Sequence, residues 1–208
     1  MRALLALTIA VALLACSKSD ERANALEQER LFWNATYREG RTFTPSPFVM
    51  DVVKNVPPGR ALDVGMGQGR NALYLASIGW DVTGVDISDE GLRQAREAAT
   101  ARKLSLHAIQ ADIEAWDHGS EHWDLVLLVY TGDDPDKVRR SLKRGGLVIS
   151  ERFHSDANAR IGTTPEALAK AFAHGFKVLR NETRDELNVW GNPDGTSSTV
   201  VNFAAQKL

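Results

Sequence analysis

The sequence has a single cysteine, Cys16, in 208 residues. No internal disulfide can form, so the fold is held without covalent cross-links whatever compartment the chain reaches. It has no dense block of lysine or arginine, and its formal net charge is −2, so nothing in it offers counter-charge to a nucleic-acid backbone. It has no apolar run of the roughly 20 residues that a membrane-spanning helix needs. Internal repeats are absent, and no linker marks off a second domain. What is there is an ordinary globular balance, 43% hydrophobic and 25% charged residues, in a length that suits one domain with a sizeable core.

The N-terminus departs from that balance. Arg2 precedes an apolar run from Ala3 to Ala15 that only Thr8 interrupts. A short apolar run behind a cation fits the hydrophobic segment of a secretory signal peptide. Its end, Leu13-Leu14-Ala15-Cys16, resembles a bacterial lipobox, in which the cysteine is lipidated and becomes the mature N-terminus. The expectation is a signal peptide over residues 1–15, lipidation at Cys16 and an exported lipoprotein held at the membrane by that lipid. With an inactive signal, the same run is a buried N-terminal helix with an incidental cysteine, and the chain is cytoplasmic. Loss of Arg2 with the signal leaves 24 basic against 27 acidic side chains, a net −3. Residues 16–30, Cys16 plus the polar "SKSDERANALEQER", are expected to form a tether, weakly helical at best, and the folded domain to occupy 31–208.

From Arg60 the chain alternates between two periodicities. Arg60–Val64 is a short apolar strand that runs into glycines; residues 71–78 carry Ala72, Leu73, Leu75, Ala76 and Ile78 at helical spacing before Gly79. Asp81–Asp86 is a second strand. Ser88 caps a helix with Asp89 and Glu90 in its first turn, where acids suit the helix dipole, and Leu92, Ala95 and Ala99 form its inner stripe. Residues 104–110 form a third strand. The run "LVLLVY", 125–130, is a fourth, apolar throughout as expected of a strand covered on both faces. Asp134-Pro135 opens a helix that Gly145-Gly146 is expected to stop, followed by a strand over 147–153. Thr164-Pro165-Glu166 opens a further helix ending at Gly175. The tail adds strands over 176–183 and 198–204, with the turn cluster "GNPDGTS" between them. Strands alternating with helices predict a doubly wound, parallel sheet, which binds ligands at the carboxyl ends of its strands.

The loop "LDVGMGQGR" lies at the first of those ends. Its spacing is G-x-G-x-G. The third glycine of the dinucleotide fingerprint G-x-G-x-x-G would fall at position 70, where Arg70 stands, and this argues against a nicotinamide-dependent oxidoreductase. Asp63, two residues before the first glycine, would sit badly beside a pyrophosphate and suits a ligand with positive charge. Asp86 ends the second strand and can accept from two ribose hydroxyls; Asp112 follows the third and can accept from an exocyclic adenine amine. Adenine, ribose and a cationic amino-acid tail together describe S-adenosylmethionine.

The segments "ALDVGMGQGRNALYLA", "VTGVDIS", "IQAD", "WDLVLLVY" and "KRGGLVIS" resemble, in order and spacing, the motifs of class I S-adenosylmethionine-dependent methyltransferases. The resemblance covers about 31–208. The glycine loop, "LRNETRDEL" and "NPDGTSSTVVNFA" look most like the tellurite-resistance-type branch, though Glu186-Leu187-Asn188-Val189 stands where some of those relatives carry a His-Arg pair. The resemblance implies a single-domain, Rossmann-like α/β fold: a mostly parallel seven-stranded sheet with helices on both faces and an antiparallel last strand. It implies S-adenosylmethionine as cofactor, held by Asp63, Gly65, Gly67 and Gly69 around the methionine moiety. Asp86 and Ile87 would meet the ribose and adenine, Asp112 and Ile113 the adenine edge, and Val129 and Tyr130 would form the floor near the sulfonium. No metal is expected. Residues 31–59, with Phe32, Trp33, Tyr37 and Phe43, correspond to a lid region.

No catalytic residue follows from the motifs, because oriented partners supply most of the advantage in methyl transfer. An alcohol acceptor would also need a base; His154, just after the fifth strand, is one candidate and Tyr37 of the lid another. "TGDD" after the fourth strand lacks the motif of amino-methylating DNA enzymes. The acceptor expected is therefore a small molecule or a soft oxyanion. The alternative is a lipid-anchored protein that binds S-adenosylmethionine or S-adenosylhomocysteine without catalysis.

Overall fold

Apolar residues on alternate sides of each strand give this protein two cores, one on each face of a single sheet. The structure, a computed structural model, describes residues 2–40, 44–132, 134–187 and 197–208, with side chains from Asp20 onward. Its strands are β1 (Arg60–Val64), β2 (Asp81–Asp86), β3 (His107–Gln110), β4 (Trp123–Val129), β5 (Leu142–Phe153), β6 (Phe176–Leu187) and β7 (Ser197–Lys207). The helices are α1 (Arg2–Arg38), α2 (Pro47–Val53), α3 (Arg70–Ser77), α4 (Asp89–Ala101), α5 (Pro135–Ser141) and α6 (Pro165–Ala171).

The seven strands lie in the order β3-β2-β1-β4-β5-β7-β6. β3, β2, β1, β4 and β5 pair in parallel; β7 runs antiparallel to both β5 and β6. This is the expected mixed sheet with its antiparallel last strand. Along β4, Leu125, Leu127 and Val129 enter the core beneath α2, α3 and α4, while Val126 and Leu128 enter the other, beneath α5 and α6. The unbroken apolar run of β4 has this cause: it is the sheet's middle strand, and neither side meets water.

Three local expectations fail. The strand predicted from residue 104 begins at His107. Gly145 and Gly146 lie inside β5 rather than at a helix end, because Leu142 pairs with Trp123 and starts the strand early across a register shift. The stretch predicted as a weakly helical polar tether is helical throughout, part of α1. The turn cluster before β7 lies outside the described residues up to Ser197, as do Phe43 and the side chain of Cys16. Among the described residues no helix is long and apolar enough to cross a membrane.

β1 leads outward to β2 and β3, and the chain then crosses back to lay β4 on the other side of β1. The connections diverge at the carboxyl ends of β1 and β4, and such a switch point leaves a crevice.

Candidate active site at the sheet's switch point

The glycine loop is built by β2. The N–H groups of Gly65 and Met66 donate to the Val85 carbonyl at 2.8 and 3.1 Å. Gly67 N–H donates to one carboxylate oxygen of Asp86, and Ser88 N–H to the other, each at 2.8 Å. Asp86 thus fixes both the loop and the start of α4, and each oxygen keeps lone-pair capacity for a ligand hydroxyl. Burial raises its pKa, against the backbone donors that pull it down. At Gly67 φ is +54°, and a Cβ would overlap the Tyr37 hydroxyl; only glycine fits. Gly91, in the first turn of α4, has the same reason: its missing side chain makes room for the Tyr37 ring and the glycine loop.

Asp63 is 3% exposed. Burial pushes its pKa up to about 7, while Arg70 and the Ala72 N–H act in the opposite direction. A cation placed beside it would be strongly favoured, since it restores the charge that burial suppresses.

Together these groups line a cavity of about 950 Å³. Of the sequence-predicted cofactor residues, Asp63, Gly65, Gly67, Asp86, Ile87, Asp112, Ile113, Val129 and Tyr130 all face it, as does Tyr37. Gly69 does not. It caps α3 with φ +76°, and a Cβ there would press on Ala95 of α4 at 3.1 Å, so its place is in helix packing. His154 is also absent from the lining. It lies three residues past Glu151, beyond the strand's rim, where its Nδ1 accepts from Asp156 N–H at 3.2 Å. No histidine among the described residues lines the cavity, and no cluster that could hold a metal occurs among them.

One wall is α1, of which only the end with Trp33 and Tyr37 was expected, as part of the lid. Arg22, Glu29, Trp33 and Tyr37 face the cavity from one side of this helix. Arg22 pairs with Asp112 at 2.8 Å and with Glu114 at 3.2 Å. Burial works against the Asp112 carboxylate, but Arg22 and nearby backbone N–H groups hold its pKa below the usual value. Asn34, buried, anchors the helix: its Oδ1 accepts from the Ser88 hydroxyl at 2.6 Å and its Nδ2 donates to Asp89 at 2.7 Å. Arg30 bonds to the same Asp89. Ser88 spends its other hydrogen-bonding capacity capping α4, accepting from Gly91 N–H at 2.9 Å. Sequence reasoning missed the Arg22–Glu29 part of this wall because the charges of "SKSDERANALEQER" read as solvated. The helical spacing of Arg22, Leu26, Glu29 and Trp33 was the signal present. It missed Glu151 too, a lone acid in the apolar run "LVISERF".

Residues 61–146 match the family model described as a methyltransferase domain. Over that stretch the chain is similar to methyltransferase domains. A stretch of 79 residues, 38% of this chain, is 34% identical to the probable S-adenosyl-L-methionine-dependent methyltransferase TehB of Haemophilus influenzae, of which it spans 27%. A longer stretch of 154 residues is 29% identical to the malonyl-[acyl-carrier protein] O-methyltransferase of Pseudescherichia vulneris, covering 70% of this chain and 59% of that one. The chain thus spans under two thirds of these relatives' lengths. The solved structure of TehB from Haemophilus influenzae superposes with a TM-score of 0.69 at 20% identity, over 80% of this chain and 64% of that one, and shows the shared fold.

The residues of the cavity fit S-adenosylmethionine. Their donor set has a buried carboxylate for a cation, Asp63, and a carboxylate at a strand end for a diol, Asp86. It also has a glycine turn whose φ values and crowding exclude side chains.

Proposed function

We propose that this methyltransferase domain methylates a small, protic acceptor of the phenol, thiol or amine kind. The observation that carries the acceptor class is the charge of the cavity. Its described lining holds Glu29, Asp63, Asp86, Asp112, Glu114 and Asp134 against Arg22, Arg70 and Lys137. An excess of carboxylates in a concave, partly dry site repels anions and concentrates neutral or cationic molecules. Of the two acceptor kinds left open by the sequence, the soft oxyanion is the poorer fit.

When bound, S-adenosylmethionine supplies an electrophilic methyl carbon on a sulfonium. Asp86 would hold the ribose and Asp112 the adenine edge, with Asp63 facing the charged amino-acid tail. Ile87, Ile113 and Val129 exclude water from the two apolar surfaces. α1 covers the adenosine side, leaving the wall of Tyr130, Thr131 and Arg70 for the acceptor. Holding both partners in line lowers the barrier without any charged catalyst.

The anchor belongs to the same proposal. Lipidation at Cys16 after removal of residues 1–15 would place the lipid six helical residues before Arg22, roughly 9 Å along α1. The cavity would then open close to a membrane surface. The acceptor is tested by incubating the protein with labelled S-adenosylmethionine and a panel of phenols, small thiols, amines, selenite and tellurite. Transfer to phenols, thiols or amines is expected. Transfer to the oxyanions alone, or only to protein or nucleic acid, would overturn the assignment, and S-adenosylhomocysteine binding with no turnover on any acceptor would identify a binding protein.

A further inference from the structure

Asp112, the acceptor assigned to the adenine edge, already has two partners within the chain. One carboxylate oxygen accepts from the Glu114 N–H at 3.0 Å. The other accepts from Arg22 Nη2 at 2.8 Å. The two bonds differ in kind. The first is internal to the turn after β3 and remains in place when a ligand binds. The second crosses 90 positions from α1 and can be exchanged. The Asp112 side chain is 17% exposed, so little of the carboxylate is left for a third donor. Arg22 and Asp112 both line the cavity. The oxygen open to an adenine amine is therefore the one that holds the guanidinium.

The turn that carries Asp112 is fixed from the opposite side. Lys137 Nζ of α5 donates to the Ile113 carbonyl at 2.6 Å and reaches the Glu114 carbonyl at 3.3 Å. Arg22 is the movable partner, because its side chain is 54% exposed. It also has a second carboxylate within reach. The same Nη2 lies 3.2 Å from a Glu114 carboxylate oxygen, on a side chain that is 77% exposed. Release from Asp112 thus leaves the cation paired with Glu114 and water rather than stranded. α1 itself stays in place, since the Asn34 contacts that anchor it lie roughly 18 Å further along the helix.

We propose that Arg22 is a latch on the cofactor site, a residue that sets cofactor affinity by competing with adenine for Asp112. This rests on the reading of Asp112 as the adenine-edge acceptor. Binding moves the guanidinium from Asp112 to Glu114 and gives its oxygen to the adenine amine. The amine is neutral, so it lacks the charge assistance of the donor it displaces. The exchange is therefore opposed by charge, and whatever weakens the ion pair favours the ligand. Arg22 is half in solvent, so dissolved salt screens the pair. Affinity for an uncharged adenosine rises with ionic strength, the reverse of what an attractive ionic contact to a ligand would give.

The test uses the full chain and 5′-methylthioadenosine, which keeps adenine, ribose and sulfur but has no charged tail. Its dissociation constant should fall by about two- to fivefold between about 20 and 500 mM salt, as for release of a partly exposed ion pair. Arg22→Gln should bind the probe more tightly than wild type at low salt by the same factor, and its affinity should not change with salt. The wild-type salt titration needs no variant, so it decides even if Arg22→Gln fails to fold. Weaker binding by Arg22→Gln at every salt concentration would make Arg22 part of the ligand's seat and overturn the latch. Equal affinity of the two proteins, or wild-type affinity that falls with salt, would overturn it as well. Failure of both proteins to bind either this probe or S-adenosylhomocysteine would instead overturn the cofactor reading on which the latch rests, whereas binding by Arg22→Gln alone would support the latch.

Discussion

Asp63 and Asp86 show how one residue serves both fold and ligand. With Asp63 titrating near 7 against an ordinary 3.8, the empty folded domain binds a proton that the unfolded chain releases between those values. Stability contributed by this site therefore falls as pH rises through that window, and the penalty is complete above about 7. Asp63→Asn should remove the dependence, visible as denaturation midpoints of the two proteins that converge toward low pH. A cationic amino-acid tail reverses the preference. S-adenosylhomocysteine should bind more tightly as pH rises through about 7, releasing a proton that calorimetry in two buffers can count; the Asn variant should show neither. At Asp86, Ala substitution frees the N–H groups of Gly67 and Ser88 as well as removing a ligand acceptor. Affinity for S-adenosylhomocysteine should drop by at least about 1–3 kcal/mol, as for hydrogen bonds to a charged group.

At the scale of elements, α1 turns the crevice into a cavity. Its isolated residues have little reason to hold the helix onto the sheet domain, because its Asp20–Arg30 stretch is polar. The anchoring contacts are polar and specific, and Asn34, 1% exposed, carries the most of them, joining Ser88 and Asp89 at the N-terminus of α4. Asn34→Ala leaves the Ser88 hydroxyl and Glu90 N–H without that oxygen. About 1–3 kcal/mol of stability should be lost, read from urea denaturation, and S-adenosylhomocysteine affinity should fall with it as the wall loosens. A loss of stability without a loss of affinity would mean that α1 is not needed to hold the ligand. β5 is the second element with two duties: its apolar residues complete both cores, and Glu151 brings a carboxylate to the sheet's working end.

For the whole molecule, the proposed anchor and the cavity share one helix. The full chain should fractionate with membranes in its native host, and Cys16→Ser should abolish labelling by a fatty-acid analogue and release the protein. A soluble, uncleaved chain that still begins at Met1 would show the signal to be inactive and leave the methyltransferase assignment untouched. Location and chemistry are separable because Cys16 lies outside the sheet domain, whereas every group assigned to the cofactor lies at the carboxyl ends of β1, β2, β3 and β4.

The sequence by itself determined the sheet and most of the residues that gather at its switch point. Strand and helix periods, the caps at Ser88 and Thr164, and the glycine spacing are local features, and Asp63, Asp86 and Asp112 are each read relative to a strand end a few residues away. Only the tertiary structure decided the rest. Arg22 meets Asp112 across 90 positions, and Ser46 meets Glu151 across 105; no periodicity encodes pairings so distant. The same distance demoted His154 and promoted Glu151. Both belong to the end of β5, but sequence shows only that they are close to it, while the register with β4 and β7 fixes which of them is buried behind the cavity wall. A carboxylate among apolar neighbours reads as an interruption of a strand until the residues that share its charge, Arg70 and Ser46, are brought in from α3 and the N-cap of α2.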